Sequence, residues 1–572
     1  MNIPTEPVNA VNGTANNRAR TMNTDPADMN TPTDPVNTPT KPVNAKSGPV
    51  NTAPPSVNKS RSGGGDEGEG GKKQSAAVRL VALARERYTF VMSTDGRPYA
   101  VAIDGPNLAL PLRGRAGLRQ RLARLYADTF EGDVASQSAL ADAMTVLEGI
   151  ADSGDPVPVH LRVGNDESGR IVVDLGTADG RAVTVSGADG WHVVDRSPVL
   201  FRRSGAMAPM PAPVLEGDGL ARLHGLLNMD ETTFRQLVAW LVAAWIPTIP
   251  HPVLTFKGEQ GTGKSKTAQM VVNLIDPSPA SKRSQPRDIK AWSAQAFNSW
   301  ALCLDNISTI PPWLSDTLCK AVTGDGIVDR ALYTDDDVVV LSFRRVLAMT
   351  TIDAGALAGD LAERLLMLDL QLIEEDRRRT EEELDGAFEA ARPAVLGALF
   401  DLLACVLATL PTVRLDSMPR MADFARVLAA IDQVQDWQTL DTYLTASANV
   451  AGDALEGDLF GTAVAALVEQ AGTWTGTAAQ LLEQLQPPGG IRPPNWPKDA
   501  TRASGKVKRL APLLRSIGIT VDDTQRSRDR HRSRLLVLTR TDPDETASAP
   551  QDQTLWPDVT QPGSGHMASD QY

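Results

Sequence analysis

Cysteine is scarce in this sequence: Cys303, Cys319 and Cys405 are the three present, no two form a C-x-x-C pair, and the six histidines make no ligand-spaced cluster with them. A structural zinc and a disulfide framework are therefore not expected, and the chain reads as one of a reducing, cytoplasmic compartment. Long hydrophobic runs are also lacking. The longest, around Leu237 to Leu254, is broken by Pro247, Pro250, Pro252 and His251, and no charged-then-apolar leader opens the chain. No membrane association is expected. A basic coat is absent too, because the formal net charge is -13, so any nucleic-acid contact has to come from a local stretch of opposite sign. Aromatic residues are sparse at 5%.

What is present is ordinary for a globular chain, with 42% apolar and 22% charged residues over 572 positions. That length predicts about three folded units. Residues 1–75 are rich in Pro, Thr, Asn and Gly, with PVN recurring at Pro7, Pro35, Pro42 and Pro49, and read as a disordered tail. Residues 76–205 alternate helical and strand patterns and predict an α+β accessory domain. A linker and an apolar helix capped by Asp230 occupy 206–250, an ATPase core 251–410, a helical segment 411–471, a basic module 472–541 and a second disordered tail 542–572. The helix through ETTFRQLVAWLVAAW lacks a polar face, which predicts burial against the core sheet.

The most specific motif is GEQGTGKS, comprising Gly258, Glu259, Gln260, Gly261, Thr262, Gly263, Lys264 and Ser265, directly after the strand-like VLTF. It satisfies G-x-x-x-x-G-K-[ST], a phosphate-binding loop. Glycines at 258, 261 and 263 let successive N–H groups turn onto a nucleotide's phosphates, Lys264 reaches the β and γ oxygens, and the Ser265 hydroxyl ligates Mg2+. The helical KTAQMVVNLID that follows presents its positive end to the same phosphates. ATP and Mg2+ are the expected cofactors.

About 40 residues on, ALCLDN is an apolar strand ending in Asp305, the position for a carboxylate that holds Mg2+ beside Ser265. Asn306 follows it, and an amide orients water but takes no proton. Hydrolysis is then slow or uses a carboxylate from elsewhere, with Glu259 and Asp325 as candidates. The strand FRRVLAMTTID leaves Thr350 and Thr351 at its end, beside the expected γ-phosphate, to sense the nucleotide or position water. In DLAERLLMLDL, Arg364 is a candidate to reach a neighbouring subunit's site, the alternative being an intrachain salt bridge with Asp360 or Glu363. Arg330, Arg344 and Arg345 are the other candidates for that role.

Carrying GEQGTGKS, CLDNIS, LYTDDD, FRRVLAMTTID and DLAERLL in that order, residues 250–410 resemble the superfamily-3-type helicase ATPases of phages, plasmids and integrated elements. The resemblance implies an α/β, AAA+-like P-loop NTPase core, a hexameric ring, and a hairpin, here Ala331 to Ser342, that enters a central DNA channel. Two features depart from the family. The hairpin tip is Asp335, Asp336 and Asp337, which repel phosphate, and a threonine pair replaces the usual sensor asparagine.

In the basic module, TWTGTAAQLLEQL predicts one helix and ATRASGKVKRLAPLLRSIG a second. Arg502, Lys506 and Arg509 share a face of the latter, with Lys508 beside them, while Val507, Leu510 and Leu514 form an apolar stripe. Two strands then flank a turn bearing Arg526, Arg528 and Arg530. Helix, helix and β-wing is the order of a winged helix, which sets its second helix in a major groove and grips the backbone with the wing. The resemblance implies the same, since related replication proteins end in such a module. The expected function is a DNA helicase-type replication ATPase of a mobile element, with DNA, its own copies and a separately encoded primase as partners. The alternatives are an ATP-switched initiator that barely hydrolyses, and a phage-defence or packaging ATPase.

Overall fold

The computed structural model of the protein describes residues 74–541 apart from 115–116, 331–337, 353–358, 486, 488–491, 494–495 and 528–531. Of the tails read at 1–75 and 542–572, residues 1–73 and 542–572 lie outside the described residues, as do the hairpin tip at Asp335 to Asp337 and Arg528 and Arg530.

At the centre is a five-stranded sheet in the order Lys282–Arg283, Ala301–Leu304, Val346–Thr351, Val253–Lys257 and Leu365–Asp369, with each neighbouring pair parallel. The strands VLTF, ALCL and VLAMTT are buried throughout. That is why they read as continuous apolar runs, since a parallel sheet is covered on both faces. Parallel strands also end at one edge, and the crevice at their C-terminal ends is where ligands of such sheets bind. The hairpin Gly326–Arg330 with Val338–Ser342 pairs separately, and its strands begin five residues before the predicted Ala331.

Helix Glu231–Ala243 starts where Asp230 accepts from the Thr233 N–H at 2.7 Å, and nine of its residues are buried. The predicted burial of this faceless helix is thus what the structure has, with the Trp240 indole donating to the Pro252 carbonyl at 2.8 Å. Among the described residues, one helix is long and apolar enough to cross a membrane, Glu381–Thr412, and 56% of its most apolar window is buried inside the fold. It opens with a Thr380–Glu383 capping box. Gly397 lets it approach the preceding segment, because a Cβ there would lie 1.9 Å from the Val214 carbonyl oxygen.

The 76–205 stretch divides its buried residues among separate clusters. Helices Ala76–Arg87, Leu118–Thr129 and Gln137–Asp152 and the sheet of Tyr88–Met92, Pro98–Ala102 and Ala109–Pro111 enclose their own cluster around Leu80, Leu122, Tyr126 and Leu147. The antiparallel sheet of Val163–Asn165, Ile171–Asp174, Ala182–Ser186 and Gly190–Val194 gives Val163, Ile171, Val173 and Val185 to the central core. Fully buried Arg162 fastens it there. Its guanidinium donates to Asp276 Oδ1 at 2.9 Å, to the Asp174 carbonyl at 2.9 Å and to the Ala208 carbonyl at 2.8 Å. Asp276, which ends helix Lys264–Ile275, also accepts from the Trp300 N–H at 2.7 Å, just before strand Ala301–Leu304. One carboxylate therefore joins the N-terminal sheet, the helix after the glycine loop and the strand that carries Asp305.

Candidate functional site: the glycine loop and its carboxylate

Strand Val253–Lys257 runs into Gly258 to Gly263, and helix Lys264–Ile275 begins directly after it. Gly263 holds φ 82° as the residue that starts the helix, a left-handed conformation that costs glycine little and turns the chain sharply into the first helical turn. The Lys264 ammonium folds back over the loop and donates to the Gly258 carbonyl at 2.7 Å and to the Glu259 carbonyl. Burial pushes its pKa down while the nearby Asp305 pulls it up, the first effect being larger. The loop's own carbonyls thus hold the Lys264 cation.

Asp305 directly follows strand Ala301–Leu304. The Ser265 hydroxyl donates to Asp305 Oδ1 at 2.7 Å, and the Thr350 hydroxyl donates to the same oxygen at 2.6 Å. Thr350 reaches it because strand Val346–Thr351 sits between the loop strand and Ala301–Leu304. Its hydroxyl oxygen in turn accepts from the Asn306 N–H at 2.8 Å, and its carbonyl accepts from the Ile307 N–H at 2.9 Å. Asn306 takes up φ 58° to make this turn, a left-handed conformation that asparagine tolerates better than most side chains. Thr350 and Thr351 are buried, at 1% and 4% exposure. The hydroxyl of Thr350 is therefore spent on orienting the carboxylate.

These oxygens suit a hard cation carried on a polyphosphate. Magnesium is commonly held by one or two protein carboxylates, with phosphates and water completing the octahedron, and Ser265 and Asp305 are the pair of oxygens here that could take that part. Among the described residues there is no group of three or more His, Cys, Asp or Glu that would hold a metal by itself. Of the two carboxylates considered as substitutes for a base after Asn306, Asp325 accepts from the Thr323 hydroxyl at 2.8 Å, at the end of helix Pro312–Thr323. Glu259 meets Lys264 through its backbone carbonyl.

Arg364 is 7% exposed and held on its own chain, donating to the Asp360 carbonyl at 2.7 Å and to its carboxylate at 2.6 Å. The intrachain alternative is the state observed. Burial raises the Asp360 pKa, but the bonds from Arg364 and Cys319 and the charge of Arg420 outweigh it, so the carboxyl sits below its usual range. Arg344 donates to the Pro247 and Thr323 carbonyls at 3.1 and 3.2 Å, and Arg345, also 7% exposed, donates to the carbonyls of Ala296 and Arg344. The Arg330 side chain is outside the described residues.

The basic module begins with a strand, where a helix was expected. Thr473–Gly476 alternates exposed and buried residues and pairs antiparallel with Leu536–Arg540, which also pairs with Ile519–Asp522. β-branched Thr473 and Thr475 flanking Trp474 favour the pleat, and helix Ala478–Gln484 starts only after the Thr477 cap. Helix Ala500–Ser516 follows, capped by Asp499. Its cations are not equivalent. Lys506 pairs with Asp458 at 2.8 Å beside the Phe460 ring, and Lys508 pairs with Asp523. Arg502 lies 3.5 Å from Asp499, while exposed Arg509 has no ion-pair partner among the described residues. Arg526 is exposed and bridges Arg534 across the turn. An open cleft of about 460 Å³ lies between these elements, lined by Thr501, Ser504, Ser533 and Arg534 among others.

What the sequence reading missed is the tie that positions this edge. Asp276 and Arg162 carry no motif, being a lone acid after a helix and a lone arginine between short strands. Their pairing over more than a hundred residues has no local signal.

No curated protein sequence matches the chain. Among solved structures, the apo NrS-1 C-terminal region is 12% identical with a TM-score of 0.34, covering 81% of this chain and 100% of that one. JCV helicase is 13% identical with a TM-score of 0.22, covering 41% of this chain, which spans 64% of the helicase chain. Similarity at those scores supports no argument about this chain. Two family matches are more direct: residues 218–453 match the actinomycete integrative conjugative element replication protein, and residues 460–552 match the C-terminal domain of the same replication protein, RepA. The second match takes in helix Leu459–Ala471, which packs on strand Thr473–Gly476. Over both stretches, what the chain is similar to is a replication protein of actinomycete integrative conjugative elements.

Proposed function

We propose that the central sheet binds ATP with Mg2+ at the Gly258 to Ser265 loop and hydrolyses it to drive DNA remodelling or unwinding during replication of the element. The observation that carries this reading is the meeting of Ser265 and Thr350 on one oxygen of Asp305, at 2.7 and 2.6 Å, directly beside the glycine loop. In this reading the loop's N–H groups and Lys264 bind the phosphates, and Ser265 and Asp305 hold the cation, which neutralises charge building on the phosphoryl oxygens. Thr350 keeps the carboxylate in place and Asn306 orients the attacking water. The C-terminal module, as a winged helix, attaches the motor to DNA through Arg502, Arg509 and Arg526. Assembly into a ring and a role for Arg364 at a neighbouring site require that arginine to leave Asp360.

The test is unwinding of a forked duplex by the full chain with Mg-ATP. Unwinding that needs ATP and disappears in Lys264→Ala supports the motor, whereas a protein that neither binds nor turns over ATP rules it out. A second reading is favoured by Asn306, which has no proton-accepting group: an ATP-switched initiator that assembles on DNA with little turnover. ATP binding and DNA assembly without hydrolysis would select it.

A further inference from the structure

The proposed nucleotide site has a metal end and, by the order of the sheet, an opposite end. Strands Val346–Thr351 and Ala301–Leu304, with Thr350 and Asp305, lie on one side of the loop strand Val253–Lys257, and strand Leu365–Asp369 lies on the other. A triphosphate whose terminal phosphates meet Asp305 must carry its ribose and base away from that side, past Gly263 and the first turn of helix Lys264–Ile275.

The chain leaving Leu365–Asp369 passes there. The Leu370 N–H donates to the Lys257 carbonyl at 2.8 Å, and a Cβ built on Gly258 would lie 2.7 Å from the Leu370 carbonyl oxygen. A Cβ built on Gly263 would lie 3.2 Å from the Ile373 δ-carbon, so this side chain rests against the loop glycine. Further on, Thr380 caps helix Glu381–Thr409, and Asp385 in that helix pairs with Lys266 at 2.6 Å, one residue past Ser265. The Asn228 amide holds the Gln371 carbonyl. Residues 370–380 are thus a strap pinned at both ends beside the loop. Leu372 is 57% exposed and Ile373 half-buried; apart from buried Leu370 they are the apolar side chains of a stretch otherwise charged and polar.

Resting on the ATP reading of the loop, we propose that this strap is the wall of the nucleoside subsite and that Ile373 is the side chain that covers the base. An apolar branched side chain on the flat face of a base removes apolar surface from water without asking for a hydrogen bond. It makes affinity depend on the nucleoside and leaves the phosphates to the loop.

The experiment compares binding of Mg-ATP and of magnesium with inorganic tripolyphosphate by calorimetry, using the full chain and its Ile373→Ala and Ile373→Val variants. Ile373→Ala is expected to weaken ATP about tenfold and to leave tripolyphosphate within about twofold, with Ile373→Val close to the parent. Unchanged ATP affinity in Ile373→Ala overturns the assignment. Equal weakening of both ligands also overturns it, because that is the mark of a side chain that only packs the loop. If the unaltered protein binds neither ligand, the nucleotide reading itself fails, whereas binding of both with no effect of Ile373 leaves that reading standing and removes this one.

Discussion

At the C-terminal edge of the central sheet, one carboxylate oxygen of Asp305 receives hydroxyls from two different elements. On helix Ala500–Ser516, four cations within eight residues meet four different surroundings: Arg502 beside its own cap, Lys506 against Asp458, Lys508 against Asp523, and Arg509 open. The first region is organised by the ends of buried parallel strands, whose spacing and direction allow one arrangement. The second is organised by whichever acid a long, flexible side chain finds nearby. A motif whose residues sit on a sheet keeps its meaning on folding. A cluster of like charges is redistributed, and only its unpaired members remain to meet phosphate.

The contrast is testable, beginning with the buried tie behind the first region. Arg162→Leu leaves Asp276 charged and unpaired in the interior and is expected to cost about 3 to 5 kcal/mol, read as a shift of the urea midpoint. A surface-like loss of a few tenths would mean that the edge is not held by this pair. Thr350→Val removes a hydrogen bond to a charged group, of the kind that contributes about 1.5 to 3 kcal/mol. In the proposed ATPase, turnover should fall by about tenfold to a hundredfold, with ATP affinity nearly kept.

His251 offers a pH probe of the same core. It is 1% exposed, its Nε2–H faces the Ala243 and Ile246 carbonyls at 3.0 and 3.1 Å, and burial lowers its pKa from 6.5 to about 4. The unfolded chain takes up a proton below pH 6.5 that the folded chain refuses until about pH 4. Its contribution is therefore full above 6.5 and lost as pH falls through that window, by about 3 kcal/mol. His251→Gln should flatten this part of the stability profile measured by urea unfolding. The smallest effects belong to the basic helix. Arg509→Ala should weaken duplex binding by roughly 1 kcal/mol and reduce the salt slope by about one charge. Lys506→Ala, whose charge is already committed to Asp458, should leave the slope unchanged in the same fluorescence titration. Equal effects of the two would erase the distinction between the regions.

Much of the site was legible because it is local or nearly so. GEQGTGKS lies in one turn, Asp305 ends an apolar strand, and Asp230 caps the helix predicted after it. What escaped was contextual. TWTG is a strand and not the start of a helix, and its four residues carry too little periodicity to separate it from the helix that follows. The second half of the 76–205 stretch looked like part of an independent domain, because apolar alternation in a strand does not say which core its inner face joins.

By itself, the sequence determined the chemistry on offer: a glycine-rich loop with a phosphate-binding pattern, an acid at a strand end, basic residues near the C-terminal end, and a family resemblance over residues 218–453 and 460–552. Only the tertiary structure decided which groups meet. It placed strand Val346–Thr351 between loop and acid so that Thr350 reaches Asp305, tied the N-terminal sheet to Asp276, and left Arg509 open while pairing Lys506. Strand order and the pairing of distant charges depend on how whole layers pack, and a residue's neighbours along the chain carry no record of that.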